Sequence, residues 1–295
     1  MRSGIASYVA ALTAATAALI ATTSASVAET ALERGTYLMS SVVACGNCHT
    51  PKGPDGVAIA NMELSGGDPI DSPVFHAVPG NITPDKDTGI GNWTDDQIVN
   101  AIRNGKKPDG TIIGPPMPIP FYHGTPATPG MSDSDVKAIV AYLRSVKPIN
   151  HQVEKSTYKI PLPASYGPPV VHNPEVSRTD HVAYGKYLAS GLGHCMDCHT
   201  PDVQGRPDFS KIGAGGNPFG APNGGVIISA NLTPGNPSGI AGWTNQQIKV
   251  AITTGMRPDR PLVRLMAFDW YKNISNEDLN DLIAFLHTLK PVKSQ

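Results

Sequence analysis

The chain has 295 residues with 23 basic and 24 acidic side chains, a formal net charge of −1, and that balance argues against a nucleic-acid partner. Its 30 glycines and 28 prolines make up about a fifth of the sequence, short of the ~25–30% typical of low-complexity disorder. The length suits two domains. With aromatics at only 6%, each is expected to be loop-rich, with few helices and something besides side chains filling its centre.

Residues 1–28 read as a signal peptide. Arg2 precedes an Ala-rich apolar stretch from Ile5 to Ile20, and Ser26-Val27-Ala28 forms a small-x-small cleavage site. Cleavage after about Ala28 predicts an exported chain starting at Glu29. The apolar run is shorter than the ~20 residues of a membrane span, and no later segment suits one, so no transmembrane span is expected in the mature chain.

A first helix is predicted from Leu32 to about Val43, leading into Cys45-Gly46-Asn47-Cys48-His49. Beyond Asn81-Ile82-Thr83-Pro84 and Trp93, the run Thr94-Asp95-Asp96-Gln97 spells a capping box for a second helix that carries Ile98 and Ile102 and stops at Gly105. Met117 follows in a Pro-rich loop, five residues before Tyr122. A third helix starts at Ser132, with Val136, Ile139, Val140 and Leu143 at helical spacing. Residues 151–177 hold five prolines and read as an extended, stiff linker.

After the linker the series starts again. Gly35/Gly185, Tyr37/Tyr187, Cys45/Cys195, Asn81/Asn231, Trp93/Trp243, Ala101/Ala251, Gly105/Gly255 and Pro108/Pro258 are all offset by 150. The second copy predicts helices over Val182 to about Leu192, after the cap Thr244 with Ile248 and Ile252 until Gly255, and from Ser275 with Leu279, Leu282, Ile283 and Leu286. Nothing reads as a long strand. The offset falls to 149 at Met117/Met266 and to 143 at Lys147/Lys290, as expected if the second copy lacks the loop around Gly124–Gly130. The unit is far longer than the 20–50 residues of a solenoid repeat. Two copies of one domain are therefore expected, at 29–150 and 178–295, joined by 151–177.

All four cysteines fall in the two Cys-x-x-Cys-His motifs, Cys45-Cys48-His49 and Cys195-Cys198-His199. The spacing suits two thiols adding to the two vinyl groups of one haem, with the adjacent histidine as proximal iron ligand. Two covalent haem c groups are expected. The competing chemistries are a redox dithiol, which belongs in a strand-helix context, and a structural zinc site, which needs four ligands and leaves the histidines unexplained.

A sixth iron ligand is offered at matched places by Met117 and Met266. A thioether is soft and favours Fe(II), which raises the potential and suits one-electron transfer. Rival ligands are Met131, His123 and Met256; Met39 and Met62 have no counterpart in the second copy. Trp93 and Trp243 are matched, and their indole N–H groups need an acceptor, either a haem propionate or a backbone carbonyl. His76, His151, His172, His181 and His287 lack partners in the other copy and read as surface or packing residues. His194, beside Cys195, lies on the side already served by His199.

The motifs Cys45–Pro51, Asn81–Asp85, Thr88–Thr94, Met117-Pro118 and the Ser132–Pro148 helix resemble those of bacterial di-haem and multi-haem class I c-type cytochromes. The nearest resemblance is to the cytochrome subunits of alcohol, aldehyde and gluconate dehydrogenases. It covers both copies and implies an all-α, loop-rich fold of two tandem domains, each wrapped round one haem with His/Met ligation. It further implies a periplasmic carrier of single electrons, without a substrate of its own, between a partner dehydrogenase and a downstream cytochrome or oxidase. Such subunits usually carry three haem motifs and a C-terminal membrane helix, where this sequence has two motifs and Met266-Ala267 in place of Met-Pro. The alternative function is a di-haem enzyme, of peroxidase or thiosulfate-oxidising type, with one open iron site.

Overall fold

The computed structural model describes residues 28–203, 206–220, 224–235, 239–263 and 265–293; the expected signal peptide lies outside them except for Ala28. In the first half, α1 (Ala31–Ser40), the attachment turn α2 (Gly46–His49), α3 (Asp95–Asn104), α4 (Ile119–His123) and α5 (Asp133–Ser145) follow one another. A hairpin of β1 (Ile70–Ser72) and β2 (Phe75–Ala77) separates α2 from α3, and β3 (Thr157–Tyr158) lies in the linker. The second half repeats the plan as α6 (His181–Lys186), α7 (Cys195–Cys198), α8 (Asn245–Thr254), α9 (Phe268–Tyr271) and α10 (Asn276–Thr288). Its loops carry two short hairpins, β4 (Asp202–Val203) with β5 (Arg206–Pro207) and β6 (Pro218–Gly220) with β7 (Val226–Ile228).

Local chemistry explains the helix ends. Thr94 and Thr244 form matching capping boxes with Gln97 and Gln247, and α3 and α8 end on Gly105 and Gly255 at φ +64° and +72°, a conformation glycine adopts without strain. Ser132 and Ser275 cap α5 and α10 through their hydroxyls. The repeated Gly35 and Gly185 allow the first and third helices of each half to cross closely. A Cβ on Gly35 would lie 2.0 Å from the Ala138 carbonyl oxygen, and one on Gly185 1.8 Å from that of Asp281.

Two sequence expectations need correction, and a third gains detail. The chain is not all-α, because its loops pair into small antiparallel sheets; at two or three residues each, these strands carry no alternating pattern to read. The linker, expected to be extended, also pairs through β3 with β2 and so lies along the first half. The helix expected from Val182 to Leu192 is α-helical only to Lys186 and continues as a π-type turn over Tyr187–Leu192. That turn sets Gly191 where a Cβ would lie 2.8 Å from the Pro129 carbonyl oxygen of the first half.

The two copies share a core. One apolar cluster runs from Leu38, Val42 and Ile139 of the first half into Leu188, Leu192, Tyr271 and Ile274 of the second. A second cluster, built on Ile248, Leu282, Ile283 and Leu286, takes in Phe121 of the first half. The contact is reciprocal. The Tyr37 hydroxyl donates to Asp278 at 2.7 Å and accepts from the Ser275 N–H at 3.1 Å. The Tyr187 hydroxyl donates to Asp135 at 2.7 Å and accepts from the Ser132 N–H at 3.0 Å. Repeat-equivalent residues thus meet in both directions, as in an approximate two-fold interface. Among the described residues no helix is long and apolar enough to cross a membrane.

Candidate haem-attachment sites

Each Cys-x-x-Cys-His motif forms one helical turn, which brings the cysteines, three residues apart, and the histidine onto a common side. The turn is entered through a non-glycine residue in the left-handed region in both copies, Ala44 at φ +50° and His194 at φ +42°. Such strain costs of order 1 kcal/mol and persists where the surroundings impose it. The His49 and His199 N–H groups then close the turns on the carbonyls of Cys45 and Cys195, at 2.9 and 3.0 Å.

No disulfide joins Cys45, Cys48, Cys195 and Cys198. Burial pushes Cys45 up to about 12 and Cys195 to about 11; burial, with Asp197 nearby, takes Cys198 to about 12, and burial raises Cys48 as well. A redox dithiol works through a lowered thiol pKa, so these surroundings run against that chemistry. Among the described residues no group of three or more His, Cys, Asp or Glu side chains converges as a metal-ion cluster.

The histidines are oriented identically. His49 Nδ1 lies 2.7 Å from the Gly80 carbonyl oxygen, and His199 Nδ1 lies 2.7 Å from that of Ala230. A carbonyl can only accept, so Nδ1 carries the proton and Nε2 keeps its lone pair. Burial lowers both imidazole pKa values, against the raising effect of the carbonyl bond, and keeps them neutral as a metal ligand must be. Asn81 and Asn231 hold the loops that supply these carbonyls, donating to the Ile149 and Val292 carbonyls, each at 2.8 Å.

In the second half Cys195, His199, Met266 and Trp243 line one cavity, walled by apolar side chains such as Leu188, Leu232, Ile240 and Leu286. Arg257 lies at the same cavity, its guanidinium 5.2 Å from the Trp243 ring centroid. A thiol, a neutral imidazole and a thioether round an apolar space, with a cation and an indole at its lining, fit a haem with its carboxylates. In the first half Met117, Trp93 and Cys45 are partly buried against the shared cluster. Neither Trp93 nor Trp243 donates its indole N–H to another described residue.

The rival ligands are otherwise engaged or placed. Met131 is fully buried in the shared core. His123 has both ring nitrogens 3.0 Å from carbonyl oxygens, of Gly124 and of Pro168. Met256 is half-exposed and lies outside the cavity lining. His76, His151, His172, His181 and His287 are hydrogen-bonded to Asp71 and Glu154, Ser65, Asp133, Asp281 and Asn245 respectively. His194 stacks edge-on to Tyr122 of the first half, with ring centroids 6.1 Å apart. Sequence inspection missed Arg257 and Val42 as cavity residues. Arg257 was signalled by the basic Lys107 at the equivalent place; Val42 carried no signal.

The sequence matches the Cytochrome c family twice, over residues 33–147 and 182–290, and so over both motifs. The chain belongs to the cytochrome c family. It is 31% identical over 77% of its length to the cytochrome c subunit of a quinone-type alcohol dehydrogenase of Gluconobacter oxydans, and covers 47% of that protein. It is 30% identical over 90% of its length to the cytochrome subunit of fructose dehydrogenase of Gluconobacter japonicus, covering 54%. With a diheme c-type cytochrome of Cereibacter sphaeroides it shares 29% identity over 84% of its own length and 83% of the relative's. The chain spans about half the length of the dehydrogenase subunits it matches. Covalently bound haem c is the cofactor of this family.

Proposed function

We propose that this cytochrome is a di-haem carrier of single electrons from a partner dehydrogenase to a downstream cytochrome or oxidase in the periplasm. The observation that carries this reading is the pair of matching attachment turns, each with its histidine fixed through Nδ1 so that Nε2 is free for iron. Residues 1–28 serve as the signal peptide, and residues 29–150 and 178–295 form the two haem domains. Haem c supplies a reversible one-electron couple at its iron. The chain's part is to hold it through Cys45 and Cys48 or Cys195 and Cys198, and to ligate it with His49 and Met117 or His199 and Met266. Trp93 and Trp243, the latter with Arg257, hold the propionates. Soft thioether ligation and an apolar wall both favour the reduced state, which suits acceptance of electrons from a dehydrogenase.

Support for the partner class comes from the named subunits of alcohol and fructose dehydrogenases among the relatives. The test is a combined optical, magnetic and redox titration of the purified protein. Two low-spin haems, each taking up one electron, are expected. A persistent high-spin component would instead favour the di-haem enzyme with an open iron site.

A further inference from the structure

Val42 stands three residues before Cys45, yet its side chain belongs to the other half's site. It lines the cavity that also holds Cys195, His199 and Met266. Its Cγ1 lies 3.3 Å from the position a Cβ would take on Gly193, two residues before Cys195. At 2% exposed it is enclosed on all sides. A contact in the reverse direction is made by Trp270, four residues after Met266. Its indole closes on the first attachment turn, where a Cβ on Gly46 would lie 2.9 Å from Trp270 Cζ2.

The repeat gives these contacts a complementary form. Met196 replaces Gly46 in the second turn, and Phe121 replaces Trp270 in the first half. Met196 and Phe121 are fully buried in one cluster. A small turn residue thus meets a large aromatic at one site, and a larger turn residue shares its cluster with a smaller aromatic at the other.

We propose that each half completes the other's haem site: Val42 is a positioning residue of the second site and Trp270 of the first. The inference rests on both motifs carrying haem. Among the described residues Val42 is the first half's one contribution to that cavity's lining, so the potential of the second site depends on a residue of the first. A hydroxyl introduced there stabilises the oxidised, more highly charged state and lowers the midpoint, since the polarity of the surroundings is one of the levers on a haem potential.

The experiment is a spectroelectrochemical titration of the full haem-loaded protein and its Val42→Thr variant, with the midpoints assigned by a parallel Met266→His variant that marks the second site. The second midpoint should fall while the first stays in place, although Val42 adjoins Cys45 in sequence. Movement of the first midpoint alone, or of neither, overturns the inference. If Val42→Thr fails to fold, Val42→Ala, which admits water to the same wall, carries the same expectation. Trp270→Phe should shift the first site's spectrum, and a change confined to the second site would count against the reciprocal half. Haem staining after denaturation separates the two ideas. Absence of covalent haem from the second motif defeats the di-haem reading, whereas haem present with an unmoved second midpoint defeats only this inference.

Discussion

Residues 103–117 of the first half and 253–266 of the second follow one repeat pattern, but among the described residues the linker packs only on the first stretch. The linker lies over it. The Tyr166 hydroxyl donates to the Ile113 carbonyl at 2.7 Å, the Val170 N–H donates to Asn104 at 2.9 Å, and the rings of Tyr158 and Tyr166 sit where a Cβ on Gly114 or Gly105 would be. Below them the buried Arg103 pairs with Asp133 at 2.5 Å, and Asp133 holds His172 of the linker at 2.6 Å. In the second half Thr253 and Asn276 stand at those positions, and Met256, Val263 and Leu265 are 48%, 48% and 42% exposed. Copies of one sequence pattern thus acquire different surfaces because only one has the connecting segment beside it.

The greatest separation between the halves should come from removing their haem anchors. Replacing Cys45 and Cys48 by Ala should destabilise both halves, because the first apolar cluster runs through both. Replacing Cys195 and Cys198 should destabilise the second half more than the first, which the linker also braces, although the shared clusters pass part of the loss to the first. The loss is expected to be ~4 kcal/mol or more in the affected half, the scale of large core deletions. Limited proteolysis with haem staining checks it: survival of the same fragment from both variants would break the asymmetry.

Next in size is the ligand change. Met117→Ala and Met266→Ala should each lower the midpoint of one haem by on the order of 100 mV or more, given the span that axial ligands command. The linker-covered first site should keep water out better than the second, so Met266→Ala should bind added imidazole or cyanide more readily. Equal uptake in both variants would remove the linker's protective role, and an unchanged midpoint would return the ligand question to Met131, His123 or Met256.

The smallest effect is an acid sensitivity of the linker clasp on the first half. Burial alone would raise the Asp133 carboxyl, but hydrogen bonds from Arg103, the Asn173 N–H and His172 hold it at about 2, below its ordinary 3.8. A carboxyl depressed in the folded state contributes stability that is present above its unfolded pKa and lost as pH falls through the folded one. The linker clasp should therefore weaken as pH falls from about 4 to about 2. Asn276 provides no such dependence in the second half. Hydrogen exchange of the linker amides across this range, with Asp133→Asn as the pH-independent control, measures it.

Legibility in the sequence followed the range of the interactions. The capping boxes at Thr94 and Thr244, the stops at Gly105 and Gly255, and the attachment turns were readable because each is satisfied within a few residues. The repeat offset also carried long-range information, since Gly35 and Gly185 mark the same helix crossing in both copies. The strands β1 to β7 were not readable, being too short for an alternating pattern. Arg257 was only faintly marked by Lys107.

The amino-acid sequence by itself determined the two motifs, their repetition, the family and the local helix boundaries, because covalent spacing and backbone capping depend on near neighbours. Only the tertiary structure decided that the two cores merge, that the linker packs against the first copy, and that Val42 walls a cavity belonging to a motif 150 residues away. Those outcomes depend on which apolar faces exclude water together. A residue such as Val42 looks the same in sequence whether it buries itself in its own half or in its neighbour's.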